Sequence, residues 1–336
     1  MIKKILFYFL LGTFLLGTAG CKDTNKNKEK IGVSFGVGEA IRWQKEKAFM
    51  EKRAGELGVE IEARLNTKDK PKTQEEDCIE LIDSGVSVLI VTPRNVKNMS
   101  KVVKYAQKNN VKVIAYARVI TGEDIDLYVG YDSKRIGQMQ GQYLAEMVDK
   151  GNYILLKGDK NDENANLLYE GALPQVKSLK NNVNIILDAS VPNWSPKEAK
   201  ELVMEAVKAS DNKVDAILAP NDKIAESCVE VLEELKIDNH VVITGMDAEI
   251  GAIKRILQDK QDMTIHMDLQ ELAYTTIDEA VNMIKGRPVI TNAESNNESG
   301  KSIPSNLIIG RLITKQNIDR ILIENNIFTK EEVYGK

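Results

Sequence analysis

The chain holds two tryptophans in 336 residues, and both stand where an apolar, β-branched run gives way to a helical pattern: Trp43 in "EAIRWQKEKA" and Trp194 in "VPNWSPKE". The positions that follow the other strand-like runs contribute Arg42, Arg118, Asn164, Asn221, Asp222 and Asp247. The set joins indole rings to planar hydrogen-bonding groups: guanidinium, carboxamide and carboxylate. A sugar suits that mixture, because its hydroxyl rim calls for bidentate donors and acceptors while its C–H faces pack on an indole. A cofactor phosphate would call for a different loop. "GVSFGVGEA" has glycines after a strand but not in the G-x-G-x-x-G order, and no G-x-x-x-x-G-K-[ST] occurs.

Each of these residues also has a plainer reading. A cation at a helix N-terminus, as Arg42 would be, faces the positive end of the macrodipole and loses up to about 1 kcal/mol. Reaching a ligand across a cleft would justify that placement; a solvated side chain is the alternative. Trp43 on a helical face is equally a core residue, and Trp194 equally packs beneath its proline-flanked loop. Either Asn221 or Asp222 would cap the helix that follows; Asp222 is assigned to the cap and Asn221 to the ligand. Asp247 divides evenly between cap and ligand. Arg118 closes a buried-looking strand, where an unpaired guanidinium is costly, so it needs a carboxylate or a hydroxyl-bearing ligand.

The elements that would position these residues alternate along the chain. From Lys30 onward, ten short apolar runs, "KIGVSF" to "DMTIHMDL", are separated in most cases by a single stretch of helical period. Such alternation predicts parallel, doubly wound sheets with ligands outside the carboxyl ends of the strands. Ten strands are many for one open sheet, so two lobes are expected. The first takes residues 30–132 with a segment near 268–298, the second 133–262 with about 303–336, and the crossings lie near 128–133, 263–268 and 298–303.

The N-terminus predicts export. Lys3 and Lys4 precede the apolar run Ile5 to Leu16, too short to span a bilayer, and the run ends in "GTAGC". Thr18, Ala19 and Gly20 before Cys21 resemble a lipobox, with residues 1–20 as signal peptide and Cys21 acylated; simple cleavage at the alanine-glycine site is the alternative. Residues 21–29 would be a lipidated flexible tether. Cys78 and Cys228 sit at helical spacing among apolar neighbours and read as buried hydrophobes, with no disulfide expected.

Composition excludes several classes. A net charge of -4 gives no reason to expect nucleic acid, and a repressor would need a helix-turn-helix ahead of the sheet. With two histidines, no C-x-x-C and no H-E-x-x-H, neither a metal site nor catalysis is expected, nor any cofactor.

Taken together, "RWQKE", "DENANLL", "APND", "GMDAEIGAIKRI", "MTIHMD" and "IPSNLI" resemble the D-xylose-binding proteins of the type I periplasmic-binding-protein family. The resemblance implies an α/β fold of two Rossmann-like, doubly wound lobes joined by a three-strand hinge and closing on a pentose. It implies that Arg42, Trp43, Arg118, Asn164, Trp194, Asn221 and Asp247 line the sugar site. The partner would be an ABC permease or, as for some clostridial lipoproteins of this kind, the extracellular part of a membrane histidine kinase. The chain departs from the family pattern in four places: Ala117 stands where an acid is usual, Met267 where a lysine is expected, and Gly36 and Val37 where acids follow the first strand. Each departure removes a charge-assisted hydrogen bond, worth about 1.5–3 kcal/mol when buried, so weaker binding or a different sugar follows.

Overall fold

The computed structural model describes residues 29–36, 41–67 and 72–335. Cys21, the export segment, the tether and Val37 lie outside the described residues.

The first lobe opens with β1 (Lys30–Phe35), α1 (Ile41–Leu57), β2 (Glu60–Leu65), α2 (Gln74–Asp83), β3 (Val88–Thr92), α3 (Ser100–Lys108), β4 (Lys112–Tyr116) and β5 (Leu127–Tyr131). The second lobe follows with α4 (Ser133–Met147), β6 (Gly151–Lys157), α5 (Glu163–Lys177), β7 (Val183–Ser190), α6 (Pro196–Ala209), β8 (Ala216–Leu218), α7 (Asp222–Glu234), β9 (Val242–Ile243), α8 (Ile250–Leu257) and β10 (Met263–His266). The chain ends with α9 (Leu269–Ile284), β11 (Ala293–Asn296), β12 (Ser302–Ile308), β13 (Arg311–Thr314) and α10 (Lys330–Tyr334). All ten expected strands are present.

The first sheet runs β11-β12-β5-β4-β3-β1-β2, and every pairing except β11 with β12 is parallel. The second runs β7-β6-β8-β9, all parallel. Parallel strands need helices on both faces, and the sequence supplies them. All five residues of β3 are buried. Alternate strand residues feed separate cores on the two faces, with Ile31, Val33 and Ile90 in one and Leu89, Val91 and Val113 in the other.

The C-terminal strands differ from expectation. Residues from about 303 were expected in the second lobe, yet Ser302–Ile308 pairs parallel with β5, Ser305 opposite Tyr128 and Ile308 opposite Tyr131. Its segment "SIPSNLI" is broken by Ser, Pro and Asn and lacks the continuous apolar run of a buried strand. The third crossing, expected near 298–303, therefore falls after Ile308. There β13 pairs antiparallel with β10, which adjoins the second sheet through Asp247 N–H to the Ile265 carbonyl at 2.9 Å and Asp262 N–H to the Ile243 carbonyl at 3.0 Å.

One helix pair holds much of the site. A Cβ on Gly137, Gly141 or Gly171 would come within 1.8, 2.4 or 1.9 Å of backbone oxygens across the α4–α5 contact, so the two helices meet backbone to backbone. Their N-termini, and with them Ser133 and Asn164, are held in a fixed relation. Cys78 and Cys228 are free and buried, one in α2 and one in α7, and burial pushes both thiols up to about 12.

Candidate ligand site between the lobes

Side chains from both lobes surround one cavity of about 230 Å³. At about 30 Å³ per water this has room for seven or eight, which is the scale of a monosaccharide and below that of a drug-sized ligand. Arg42, Trp43, Arg118, Asn164, Trp194, Asn221 and Asp247 all line it.

Arg42 lies in the first turn of α1, and its cost against the helix dipole is met one turn later. Nε and Nη2 both donate to Oε1 of the fully buried Glu46, each at 3.1 Å. The guanidinium lies 4.6 Å from the ring centroid of Trp43 and 6.0 Å from that of Tyr131, in cation–π range. Burial is the largest influence and works against its charge, but Glu46 together with Tyr131, Tyr116 and Asp247 outweighs it and holds the Arg42 pKa above its ordinary value. For Glu46 the balance goes the other way: burial raises its carboxyl more than Arg42 lowers it. Trp43 satisfies both of its readings. It is 6% exposed and packs on Phe35 at 5.9 Å and edge-on to Tyr116 at 6.5 Å, while one side reaches the cavity.

Arg118 follows a tight reversal. Its N–H donates back to the Tyr116 carbonyl at 2.7 Å across Ala117, whose φ is 60°. Among the described residues, the Arg118 side chain has no hydrogen-bond or ion-pair partner. Asn164 joins the lobes: its Nδ2 donates to the Ala117 carbonyl at 3.3 Å, and its Oδ1 accepts from Ser133 Oγ at 3.3 Å.

Trp194 is set by Asp162. Oδ1 of Asp162 accepts from Asn164 N–H and caps α5, while Oδ2 accepts from Trp194 Nε1 at 3.3 Å. The indole lies on Gly158, where a Cβ would sit 2.3 Å from the ring, and it touches the cores of both lobes.

The assignment of Asn221 and Asp222 is corrected. Asn221 is the cap, in extended conformation, with Oδ1 accepting from Ile224 N–H at 3.0 Å, and it still lines the cavity. Asp222 is inside α7 and fully buried, accepting from Gln261 Nε2 at 2.9 Å, Glu249 N–H at 2.9 Å and Thr264 Oγ1 at 3.0 Å. Those donors come from the cap of α8, the segment before β10 and β10 itself, which a reading of the local sequence could not place. Asp247 caps nothing: Glu249 is the cap of α8, while Asp247 sits at φ 102° and opens onto the cavity. The walls around Asp247 desolvate its carboxyl and raise its pKa, with Arg42 opposing.

Sequence reasoning missed Tyr131, Ser133, Asp162, Leu168 and Met246, which also line the cavity. Asp162 had a usable signal as a capping acid before a helix; Tyr131 had only its place in a crossing segment. Gly36 does not line the cavity. A Cβ there would fall 2.4 Å from both Arg94 N and Gln74 Oε1, so no acid fits at this position. Among the described residues, no group of His, Cys, Asp and Glu is arranged to hold a metal.

The model of the periplasmic binding protein domain matches residues 31–288. The chain belongs to that family. It is 31% identical to the D-xylose-binding periplasmic protein of Haemophilus influenzae over 307 residues, covering 91% of this chain and 92% of that one. It is 30% identical to the D-xylose-binding periplasmic protein of Escherichia coli over 334 residues, covering 99% of each. Among solved structures, a carbohydrate transporter solute binding protein from Chloroflexus aurantiacus in complex with D-glucose superposes with a TM-score of 0.80 at 25% identity, covering 90% of this chain and 97% of that one. The two-lobe fold is that of the type I periplasmic binding proteins, and this family member is a binding protein, not an enzyme.

Proposed function

We propose that the chain is an extracytoplasmic receptor that closes on D-xylose or a related pentose and presents the closed form to a membrane partner. The convergence of two indoles and of forked polar groups from both lobes on one monosaccharide-sized cavity carries this reading. Its two D-xylose-binding relatives support the choice of pentose. A sugar touching Trp43 and Arg118 on one side and Trp194 and Asn221 on the other binds the closed state better than the open one, and closure follows from that difference in affinity. Calorimetric titration with D-xylose tests it: a saturable heat is expected, and its absence with every neutral monosaccharide overturns the reading.

The partner is a sensor histidine kinase in the reading we favour, because the polar groups lost at Ala117 and Met267 lower affinity into a reporting range. The carbohydrate-transporter neighbour favours the second reading, an ABC importer. Capture of membrane proteins with and without xylose distinguishes them by which one is retained. Attachment to the membrane is proposed through acylated Cys21; label retained in a Cys21→Ser variant overturns it.

A further inference from the structure

Four lining residues offer the cavity side chains without a strong hydrogen-bonding group. Ala117, Leu168 and Met267 are 8%, 3% and 8% exposed and belong to one apolar cluster; Met246 packs against it, and all four line the cavity. Several of their backbone groups are already engaged. Ala117 N–H donates to the Val129 carbonyl at 2.8 Å, and its carbonyl accepts from Asn164. The Met246 carbonyl accepts from Asp222 N–H at 2.9 Å. Leu168 lies within a helix, its carbonyl pressed against Gly137. The Met267 sulfur packs close to Gly310, 3.3 Å from where a Cβ there would stand.

Arg118, Asn164, Asn221 and Asp247 are among the polar residues of the wall. A sugar held by that set turns one edge onto Ala117, Leu168, Met246 and Met267. A hydroxyl on that edge would be buried without a partner, whereas a C–H group would be at home. We infer that the site selects a sugar whose edge at this wall carries no hydroxyl: the ring methylene of a pentopyranose or the methyl of a 6-deoxyhexose, in place of the hydroxymethyl of an ordinary hexose. The inference rests on the monosaccharide reading above and narrows its ligand class.

Titration calorimetry of the purified full chain with D-xylose, 6-deoxy-D-glucose and D-glucose tests it. Xylose and 6-deoxyglucose bind, and glucose binds at least about tenfold more weakly than its 6-deoxy form, the cost of one unpaired buried hydroxyl. Met267→Gln, which places an amide at this wall with little change of volume, narrows that ratio. Glucose binding as well as 6-deoxyglucose overturns the inference and leaves the monosaccharide reading standing. Equal rejection of both six-carbon sugars overturns it too, because size then does the selecting. Failure of all three to bind overturns this inference, and the monosaccharide reading stands only if another neutral monosaccharide binds.

Discussion

Arg42 donates through Nε and Nη2 to a single oxygen of Glu46, at 3.1 Å each, while the other oxygen, Oε2, is buried with no hydrogen-bond partner among the described residues. The pair aims the guanidinium along the cavity wall, and its two halves are unequal: the Glu46 side chain is fully buried and that of Arg42 is 34% exposed. Removing Arg42 strands a carboxyl in the core; removing the charge of Glu46 leaves a cation that still reaches water. Arg42→Ala is therefore expected to destabilise by about 1–3 kcal/mol, below the 3–5 of a fully buried pair, and Glu46→Gln by less. Both weaken sugar binding. Denaturant unfolding of the two variants checks the order, and a larger loss in Glu46→Gln would contradict it.

Arg118 and Trp194 separate binding from folding. Because the Arg118 side chain has no protein partner among the described residues, Arg118→Ala is expected to leave the melting temperature of the free protein unchanged while weakening pentose binding about tenfold or more. Trp194→Ala is expected to cost as much in affinity and to lower the melting temperature as well, since the indole also packs on both cores. Unchanged affinity in both, by calorimetry, would remove them from the site.

The α4–α5 contact is expected to be intolerant of a single methyl group. Gly137→Ala sets a Cβ against the Leu168 carbonyl, which is backbone and cannot swing aside, so a loss of about 1–3 kcal/mol or more follows. Separation of the two helices also moves Ser133 and Asn164, so affinity falls with stability. A variant that melts and binds like the parent would show that the helices have room to part.

Asp222 gives stability a pH dependence of known sign. Burial, with Asp247 adding to it, pushes its carboxyl up to about 7 against the pull of its three donors, while the Arg255 guanidinium is spent on its backbone carbonyl and on Glu226. The unfolded value is near 4, so between about pH 4 and pH 7 the native state binds the extra proton; this contribution is complete below the window and is lost as pH rises through it. Asp222→Asn cannot titrate there. The stability of the parent relative to the variant is expected to fall as pH rises across the window, and parallel curves in denaturant titrations would refute it.

The elements themselves were legible because each depends on its own stretch of chain. Short apolar runs marked the strands, and all ten of them formed, from the fully buried β3 to the more exposed edge strands β2 and β7. The strand-end rule then found seven of the cavity-lining side chains, since parallel sheets direct every strand end to the same edge. Serine- and proline-broken β12 was misplaced because its identity as a strand comes from the neighbour it pairs with, β5.

What the sequence by itself determined was the alternating α/β pattern, two lobes, and Arg42, Trp43, Arg118, Asn164, Trp194, Asn221 and Asp247 as the residues to inspect. Tertiary structure alone decided which of Asn221 and Asp222 caps its helix, what Arg42 pairs with, and that Ala117, Leu168, Met246 and Met267 line one cavity. Propensity and periodicity are local and survive in one dimension, whereas a buried carboxylate or a shared wall is defined by donors and surfaces brought from distant strands.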